Sequence, residues 1–194
     1  CRRWGFDRRA VDEYAVRSHE LAAAAADRGA FTEQIVAVDG LAADEGIRRG
    51  STVEKLSGLK PAFSDDGVIH AGNSSQISDG AAALLVTTAA KAAELGLTPL
   101  ARYVAGAVTG DDPVLMLTGP IPATEKVLAR AGLGVGDIGV FEVNEAFAPV
   151  PMAWLAETGA DPDRLNPLGG AIALGHPLGA SGAVLMTRML HHMR

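Results

Sequence analysis

Apolar and small residues at the start of the chain repeat at helical spacing. Asp7 is a suitable N-cap, and the pattern after it predicts a helix over 8–28 that ends at Gly29. The residues that would form its inner face are Val11, Tyr14, Ala15, Ser18, Leu21, Ala22 and Ala25.

The next part of the chain predicts shorter elements. An apolar segment at 34–38 favours a strand. The capping-box sequence at 51–54 predicts a short helix that ends before Pro61. Residues 64–80 are rich in Gly, Asn, Ser and Asp, so we expect mostly loop there.

Apolar and helical segments alternate regularly from residue 81 onwards, apart from a glycine-rich stretch at 166–179. Glycines follow several of the helical patterns, as is typical of helix ends. Such alternation predicts an α/β fold with helices packed against a sheet. The predicted strands are 81–88, 101–108 and 138–143, and the predicted helices are 91–95, 123–131, 145–158 and 180–193.

Composition narrows the class of protein. The 194 residues are 48% hydrophobic, carry a net charge of −6 and contain a single cysteine, so a disulfide framework within the chain is excluded. Basic residues form no run or stripe, which argues against nucleic acid as a partner. No apolar run reaches the roughly 18 residues of a membrane span. We therefore expect a cytoplasmic protein, and the missing initiator Met suggests a piece of a longer chain.

The stretch 166–182 carries the first candidate for chemistry. Its many glycines indicate turns that most side chains forbid, or a close approach of the backbone to a ligand. His176 lies just before the predicted helix 180–193, and a helix N-terminus disfavours a charged imidazolium. His176 is thus a candidate proton acceptor, although a loop histidine beside a packing turn explains the pattern equally well.

Two other stretches are candidates for ligand binding: 142–148 is a predicted strand-to-helix turn, where ligands of α/β proteins often bind, and 71–81 is rich in small polar residues. At 142–148, Asn144 is a candidate for a functional amide or a simple N-cap, and Glu142 and Glu145 are candidates or ordinary surface charges. The stretch 71–81 suits a ligand lying against the backbone, or a solvent-exposed loop.

Taken together, the three stretches resemble the thiolases. The resemblance is carried by Ala71-Gly72-Asn73, Asn144-Glu145-Ala146-Phe147 and Gly175-His176-Pro177-Leu178-Gly179 in this order, and by Arg17-Ser18-His19, Arg48, the segment 52–56 and Lys60-Pro61-Ala62-Phe63. It implies a partial thiolase-like α/β fold, a mixed sheet with helices on both sides, that lacks the N-terminal half and the last strands. Residues 1–77 would be the remainder of a loop domain, 78–97 the closing strand and helix of the N-terminal domain, and 98–194 a truncated C-terminal domain.

The resemblance also implies roles for individual residues. His176 would be the base that activates a nucleophilic thiol, which is mostly protonated at neutral pH. Asn144 would hold a water that completes an oxyanion hole with the same imidazole. Coenzyme A would be a substrate rather than a permanent cofactor, and no metal is expected. The residues that would line its path are Ser75, Ala71, Phe63, Arg48 and Phe147.

The nucleophilic cysteine of a thiolase and its second, acid/base cysteine have no match here, because Cys1 corresponds to neither. We therefore expect the isolated chain to be inactive. The intact enzyme would act on acyl-CoA and coenzyme A, either cleaving a 3-ketoacyl-CoA or running the reverse Claisen condensation, as a homo-oligomer (dimer or tetramer).

Three alternatives stay open. A non-catalytic thiolase-like protein would bind acyl-CoA or act as a scaffold. A β-ketoacyl synthase shares the fold but has a second histidine where Asn144 stands. The sterol-carrier type of thiolase likewise has a histidine-containing motif in place of Asn-Glu-Ala-Phe, so Asn144 argues against both enzymes.

Overall fold

The computed structural model describes all 194 residues, and helices account for its regular structure. Three short 3₁₀ helices, Arg2–Trp4, Val135–Asp137 and Pro162–Arg164, connect the others. The α-helices are α1 (Arg8–Asp27), α2 (Val53–Ser57), α3 (Ala89–Glu94), α4 (Pro120–Ala131), α5 (Pro149–Thr158), α6 (Ala171–Leu174) and α7 (Ser181–His192).

Helix α1 is the centre of the packing. The Asp7 carboxylate accepts a hydrogen bond from the Ala10 N–H at 2.8 Å, which satisfies one free donor of the first turn. The face predicted from the sequence is buried except for Leu21, which is half-buried, and α1 packs against α2 and α6. The core cluster built on it contains Val11, Tyr14, Ala15, Leu56, Ala148 and Ile172.

A second cluster lies under α5. Trp154 is 1% exposed and packs with Val143, Ala160 and Leu165. Its indole N–H donates to the Thr124 hydroxyl at 2.8 Å, which ties α5 to α4. Both clusters include residues next to the glycine-rich stretch and the Asn144 turn: Ala148 and Ile172 belong to the first, and Val143 and Leu165 to the second.

The helix predictions hold with small changes at the ends. Thr52 caps α2, and Gly132 adopts a left-handed φ of 68° after α4. The helix predicted over 145–158 begins only at Pro149, because proline suits the first helical position. The loop expected at 166–179 contains the four-residue helix α6.

The individual strand predictions are wrong: 34–38, 81–88, 101–108 and 138–143 form no β-ladder. Only isolated bridges occur, for example between Phe141 and Leu165. A strand needs a hydrogen-bonding neighbour along its edge, and none of these segments has one over more than a single bridge. Leu85 and Val108, expected in buried strands, are instead 77% and 88% exposed.

No α-helix of this chain combines the length and the apolar character needed to cross a bilayer.

Candidate active site

The three stretches singled out from the sequence meet in space through their backbones. The Ser75 N–H donates to the Ala146 carbonyl, and the Ala148 N–H donates to the Asn73 carbonyl, both at 2.9 Å. The His176 N–H donates to the carbonyl of Gln76 at 3.1 Å. The loop at 73–76 therefore lies between the other two and holds them together.

Asn144 and His176 are in direct contact. The Asn144 Nδ2 lies 3.1 Å from the His176 Nε2, and both residues are half-buried. The other ring nitrogen, Nδ1, lies 2.6 Å from the Ser181 Oγ at the start of α7. An amide nitrogen and an imidazole nitrogen are thus in contact at a half-buried position.

Two glycines allow this close packing. A Cβ on Gly170 would collide with the carboxyl group of Glu145. Gly175 has a φ of 87°, and a Cβ there would collide with Ser78. Since a side chain is excluded sterically at both positions and strained at Gly175, the turn before His176 depends on glycine.

Glu145 is a buried carboxylate rather than a surface charge. It is 1% exposed. One of its oxygens accepts from the Tyr14 hydroxyl at 3.1 Å and from the Asn166 amide at 3.0 Å. The other accepts from the Ser18 hydroxyl at 2.6 Å and the Ile172 N–H at 3.3 Å. Glu145 therefore joins α1, the glycine-rich stretch and the Asn144 turn.

The neighbourhood of this carboxylate affects Tyr14. Burial, followed by the Glu145 charge, raises the pKa of the phenol well above its usual value of 10.0. The hydroxyl therefore remains a proton donor to Glu145 across the neutral range.

Comparison with known families agrees with this geometry. A family described as "Thiolase, N-terminal domain" matches residues 1–90, and one described as "Thiolase, C-terminal domain" matches residues 97–194. The chain belongs to the thiolase family.

Curated relatives point the same way. The chain is 46% identical over 200 residues to an acetyl-CoA acetyltransferase of Paracoccus denitrificans, covering 99% of this chain and 51% of that protein. It is 48% identical over 203 residues to a 3-ketoacyl-CoA thiolase of Saccharophagus degradans, covering 98% and 52%. The chain spans about half the length of the curated relatives it matches.

Solved structures give the fold. The acetyl-CoA acetyltransferase of Bacillus anthracis is 38% identical with a TM-score of 0.93, covering 99% of this chain and 51% of that one. Human mitochondrial 3-ketoacyl-CoA thiolase in complex with CoA is 35% identical with a TM-score of 0.92, covering 99% and 50%. These likenesses confirm the partial α/β thiolase fold expected from the sequence.

Asn166 is a positioning residue of this thiolase chain that sequence reasoning missed. It is fully buried and has a left-handed φ of 46°. Its Oδ1 accepts from the Val143 N–H at 2.9 Å, and its Nδ2 donates to the Val143 carbonyl at 2.8 Å. Through this pair and Glu145 it holds the residues on both sides of Asn144. An Asn at the head of a glycine-rich turn was the available signal.

Gln76 was also missed. Its side-chain Nε2 donates to the carbonyls of Gly46 and Ile172 at 2.7 and 2.9 Å, while its backbone carbonyl accepts from the backbone N–H of His176. It thus joins three segments of the thiolase chain beside the candidate base.

The loop that carries Ala71 and Ser75 is anchored by a buried network. The Asp12 Oδ1 lies 2.6 Å from the His70 Nε2 and 2.9 Å from the Asn73 Nδ2. Asp12, His70 and Asn73 are all fully buried. Since Asp12 lies on α1, this network fixes the loop to the central helix.

Glu142 proves to be half of a buried ion pair. The Arg188 guanidinium contacts both of its oxygens, at 3.1 and 2.5 Å, and both side chains are 4% exposed. Burial raises the pKa of Glu142 although Arg188 opposes the shift. The pair fixes α7 to the segment that precedes Asn144.

The residues expected along the coenzyme A path are more dispersed. Phe63 contacts Phe147 edge-on, with ring centroids 5.8 Å apart. Ser75 is half-buried, whereas Phe63, Ala71 and Arg48 are exposed. Phe147 and Ser75 lie in the paired loops beside Asn144, whereas Arg48 makes no hydrogen bond to the site.

Arg48 is connected to α1 instead. Its N–H donates to the Nδ1 of His19 at 3.1 Å. Burial, and then the Arg48 charge, lower the pKa of His19 from 6.5 to about 4. His19 is therefore a neutral structural acceptor. No group of His, Cys, Asp or Glu side chains is arranged to hold a metal ion.

Proposed function

We propose that this chain supplies part of the active site of a thiolase-type acyltransferase, which cleaves a 3-ketoacyl-CoA thiolytically or runs the reverse Claisen condensation. The observation that carries this proposal is the 3.1 Å contact between the amide of Asn144 and the imidazole of His176. Both groups lie in motifs by which the chain resembles thiolases, and they share one half-buried position.

His176 acts as the base in this proposal. Its Nε2 takes the proton of a cysteine thiol supplied from outside this chain, and the thiolate attacks the 3-keto carbon of the substrate. The C2–C3 bond then breaks, and the electron pair leaves on an acetyl-CoA enolate, which takes a proton from the acid/base cysteine, also supplied from outside this chain. The thiol of coenzyme A next gives its proton back to that cysteine and attacks the acyl-enzyme, which releases the shortened acyl-CoA and regenerates the nucleophilic cysteine.

Asn144 stabilises charge in these steps. Its amide, acting through a bound water, and the protonated imidazole donate to the thioester oxygen, where negative charge develops. A preorganised donor of this kind contributes about 10²–10³-fold in rate. The hydrogen bonds that Asn166 makes to Val143 support this role, since they keep the Asn144 turn fixed.

Coenzyme A is proposed to bind along Ser75, Ala71, Phe63 and Phe147, with Arg48 at the nucleotide end. The paired loops support three of these positions, because the Ser75 N–H donates to the carbonyl of Ala146, next to Phe147, and Phe63 contacts Phe147 edge-on. The similar human mitochondrial 3-ketoacyl-CoA thiolase was solved in complex with CoA. We include a cytoplasmic location and a homo-oligomeric intact enzyme in the proposal.

The domain organisation is part of the same proposal. Residues 1–77 belong to the loop domain, 78–97 close the N-terminal domain, and 98–194 form the C-terminal domain. The chain's one cysteine, Cys1, lines a cavity of about 290 Å³ with Phe6 and Phe63, away from Asn144 and His176. The chain alone is therefore proposed to be inactive.

The test is thiolysis of acetoacetyl-CoA and of a long 3-ketoacyl-CoA by a complete protein that joins this chain to segments carrying the nucleophilic and the acid/base cysteine. We expect turnover, and a loss of about 10³-fold or more with His176→Ala. The exposed His192→Ala serves as the control and should act like the wild type. Near-normal thiolysis by the His176 variant would refute its role as base. Binding of CoA without any turnover would favour the non-catalytic alternative.

A further inference from the structure

Ser181 is the third member of the contact between Asn144 and His176, and it has no role in the function proposed above. Its Oγ lies 2.6 Å from the His176 Nδ1 and 2.9 Å from the carbonyl oxygen of Pro177. We propose that Ser181 is a positioning residue that fixes the tautomer of His176, so that the proton is on Nδ1 and the lone pair is on Nε2. This inference rests on the proposed role of His176 as base.

The proton balance leads to this tautomer. The Asn144 amide N–H faces the His176 Nε2, so this nitrogen is an acceptor and the ring proton lies on Nδ1. The Ser181 Oγ accepts from Nδ1, and its own hydroxyl proton is directed to the Pro177 carbonyl, which also accepts from the backbone N–H groups of Ala180 and Ser181. All three contacts are satisfied by this one arrangement.

Other histidines of the chain have the opposite arrangement. The His70 Nδ1 accepts from the Gly72 N–H at 3.0 Å, so its Nε2 carries the proton that is donated to Asp12. The His19 Nδ1 likewise accepts from the Arg48 N–H. Of these three rings, only His176 has a hydroxyl as the partner of Nδ1, and only there does the Nε2 face the candidate site.

Ser181 is held rigidly enough for this role. It is 8% exposed and is the first residue of α7. The Arg188 side chain of the same helix forms the buried pair with Glu142. The backbone N–H of His176 is fixed by Gln76. Both ends of the contact between serine and imidazole are therefore tied to the segment that carries Asn144.

The tautomer matters for the chemistry. A base must present a lone pair to the thiol, and the partner of the second ring nitrogen decides which nitrogen presents it. With the proton on Nδ1, the lone pair of His176 lies on Nε2, and a thiol that displaces the Asn144 amide from this nitrogen can give its proton to it. The Ser181 Oγ then accepts from Nδ1 in both the neutral and the protonated ring, so the ring does not turn during the transfer.

The test is the nitrogen spectrum of this chain labelled with ¹⁵N-histidine, recorded about two pH units above the ordinary imidazole pKa of roughly 6.5. Long-range ¹H–¹⁵N correlations distinguish a protonated from an unprotonated ring nitrogen, and His176→Gln identifies the resonances. We expect protonated Nδ1 and bare Nε2 for His176, with the reverse pattern for His70 and His19. A wild-type His176 protonated on Nε2 overturns the proposal.

Variants separate this role from general packing. Ser181→Ala is expected to lose the Nδ1-protonated pattern, and Ser181→Thr, which keeps the hydroxyl, is expected to restore it. Thr187→Val is the matched control, because the Thr187 hydroxyl of the same helix is buried without a hydrogen-bond partner. If Ser181→Ala does not fold, Ser181→Cys replaces it, since sulfur is a much weaker acceptor.

Full retention of the wild-type pattern by Ser181→Ala, or by its Cys replacement, contradicts the proposal. The spectra need no substrate and no turnover. A chain with the expected tautomer in an inactive complete protein would refute the proposed function alone, and thiolysis with the opposite tautomer would refute the role of Ser181 alone.

Discussion

The segment 143–173 and the segment 74–117 have similar apolar character but opposite environments. The first holds much of the core and makes hydrogen bonds to α1, to the loop at 73–76 and to itself. In the second, only Ala92 is buried, and Leu85, Val86, Val104 and Val108 are largely exposed. The difference lies in the contacts: the first segment packs against other parts of this chain, whereas most apolar side chains of 81–108 are exposed.

The largest expected effect on stability comes from removing the buried carboxylate of Glu145, in the segment 143–173. Glu145→Ala would leave the Tyr14 and Ser18 hydroxyls and the Ile172 N–H without their acceptor. Each unsatisfied buried donor is costly, so we expect a loss of about 4 kcal/mol in the free energy of unfolding, measured by urea denaturation. Glu125→Ala, an exposed carboxylate without an ion pair, should change it by less than about 0.5 kcal/mol.

A pair of leucines compares the two segments directly. Leu165 is fully buried, whereas Leu85 is 77% exposed. Leu165→Ala should lower the free energy of unfolding by about 3 kcal/mol, because it opens a cavity in the core. Leu85→Ala should change it by no more than about 0.5 kcal/mol. Equal losses in the two variants would mean that 81–88 is packed in solution.

His19, on α1, makes the free energy of unfolding depend on pH. Its pKa falls from 6.5 to about 4 on folding, so between these values the unfolded chain binds more protons than the folded one. The free energy of unfolding therefore has its full value above pH 6.5 and falls as the pH drops toward 4, by about 2–3 kcal/mol in total. Urea midpoints measured across this range should show the decline.

His19→Gln keeps an acceptor for the Arg48 N–H but cannot be protonated, and should remove most of the decline. His192→Gln, at an exposed position, is the matched control and should leave the decline in place. A decline that persists in the His19 variant would assign it to another group.

The helices were predictable because their signals are local. Asp7 caps α1 and Gly132 ends α4 through neighbours within a few residues. The strand prediction at 81–88 was wrong, because a strand needs a partner that the local pattern does not identify. Apolar character predicted burial there, and the segment has nothing to be buried against.

The residues of the candidate site also fall into two groups, those that the sequence predicted and those whose roles depend on distant partners. The sequence motifs named Asn144 and His176, and the structure brings their side chains into contact. Asn166 and Gln76 were missed because their partners, Val143 and Gly46, are 23 and 30 residues away. Ser18 and His19 were noted as part of the resemblance, but only the structure connects them to Glu145 and Arg48.

The central claim is that Asn144 and His176 act on one thioester. A double-mutant cycle in the complete protein tests it most directly, with Asn144→Ala, His176→Ala and both together compared by kcat/KM for thiolysis. We expect the double variant to be little worse than His176→Ala alone, because residues that act as a unit are strongly non-additive. Losses that multiply fully would mean that the two side chains act independently, and would contradict the shared site.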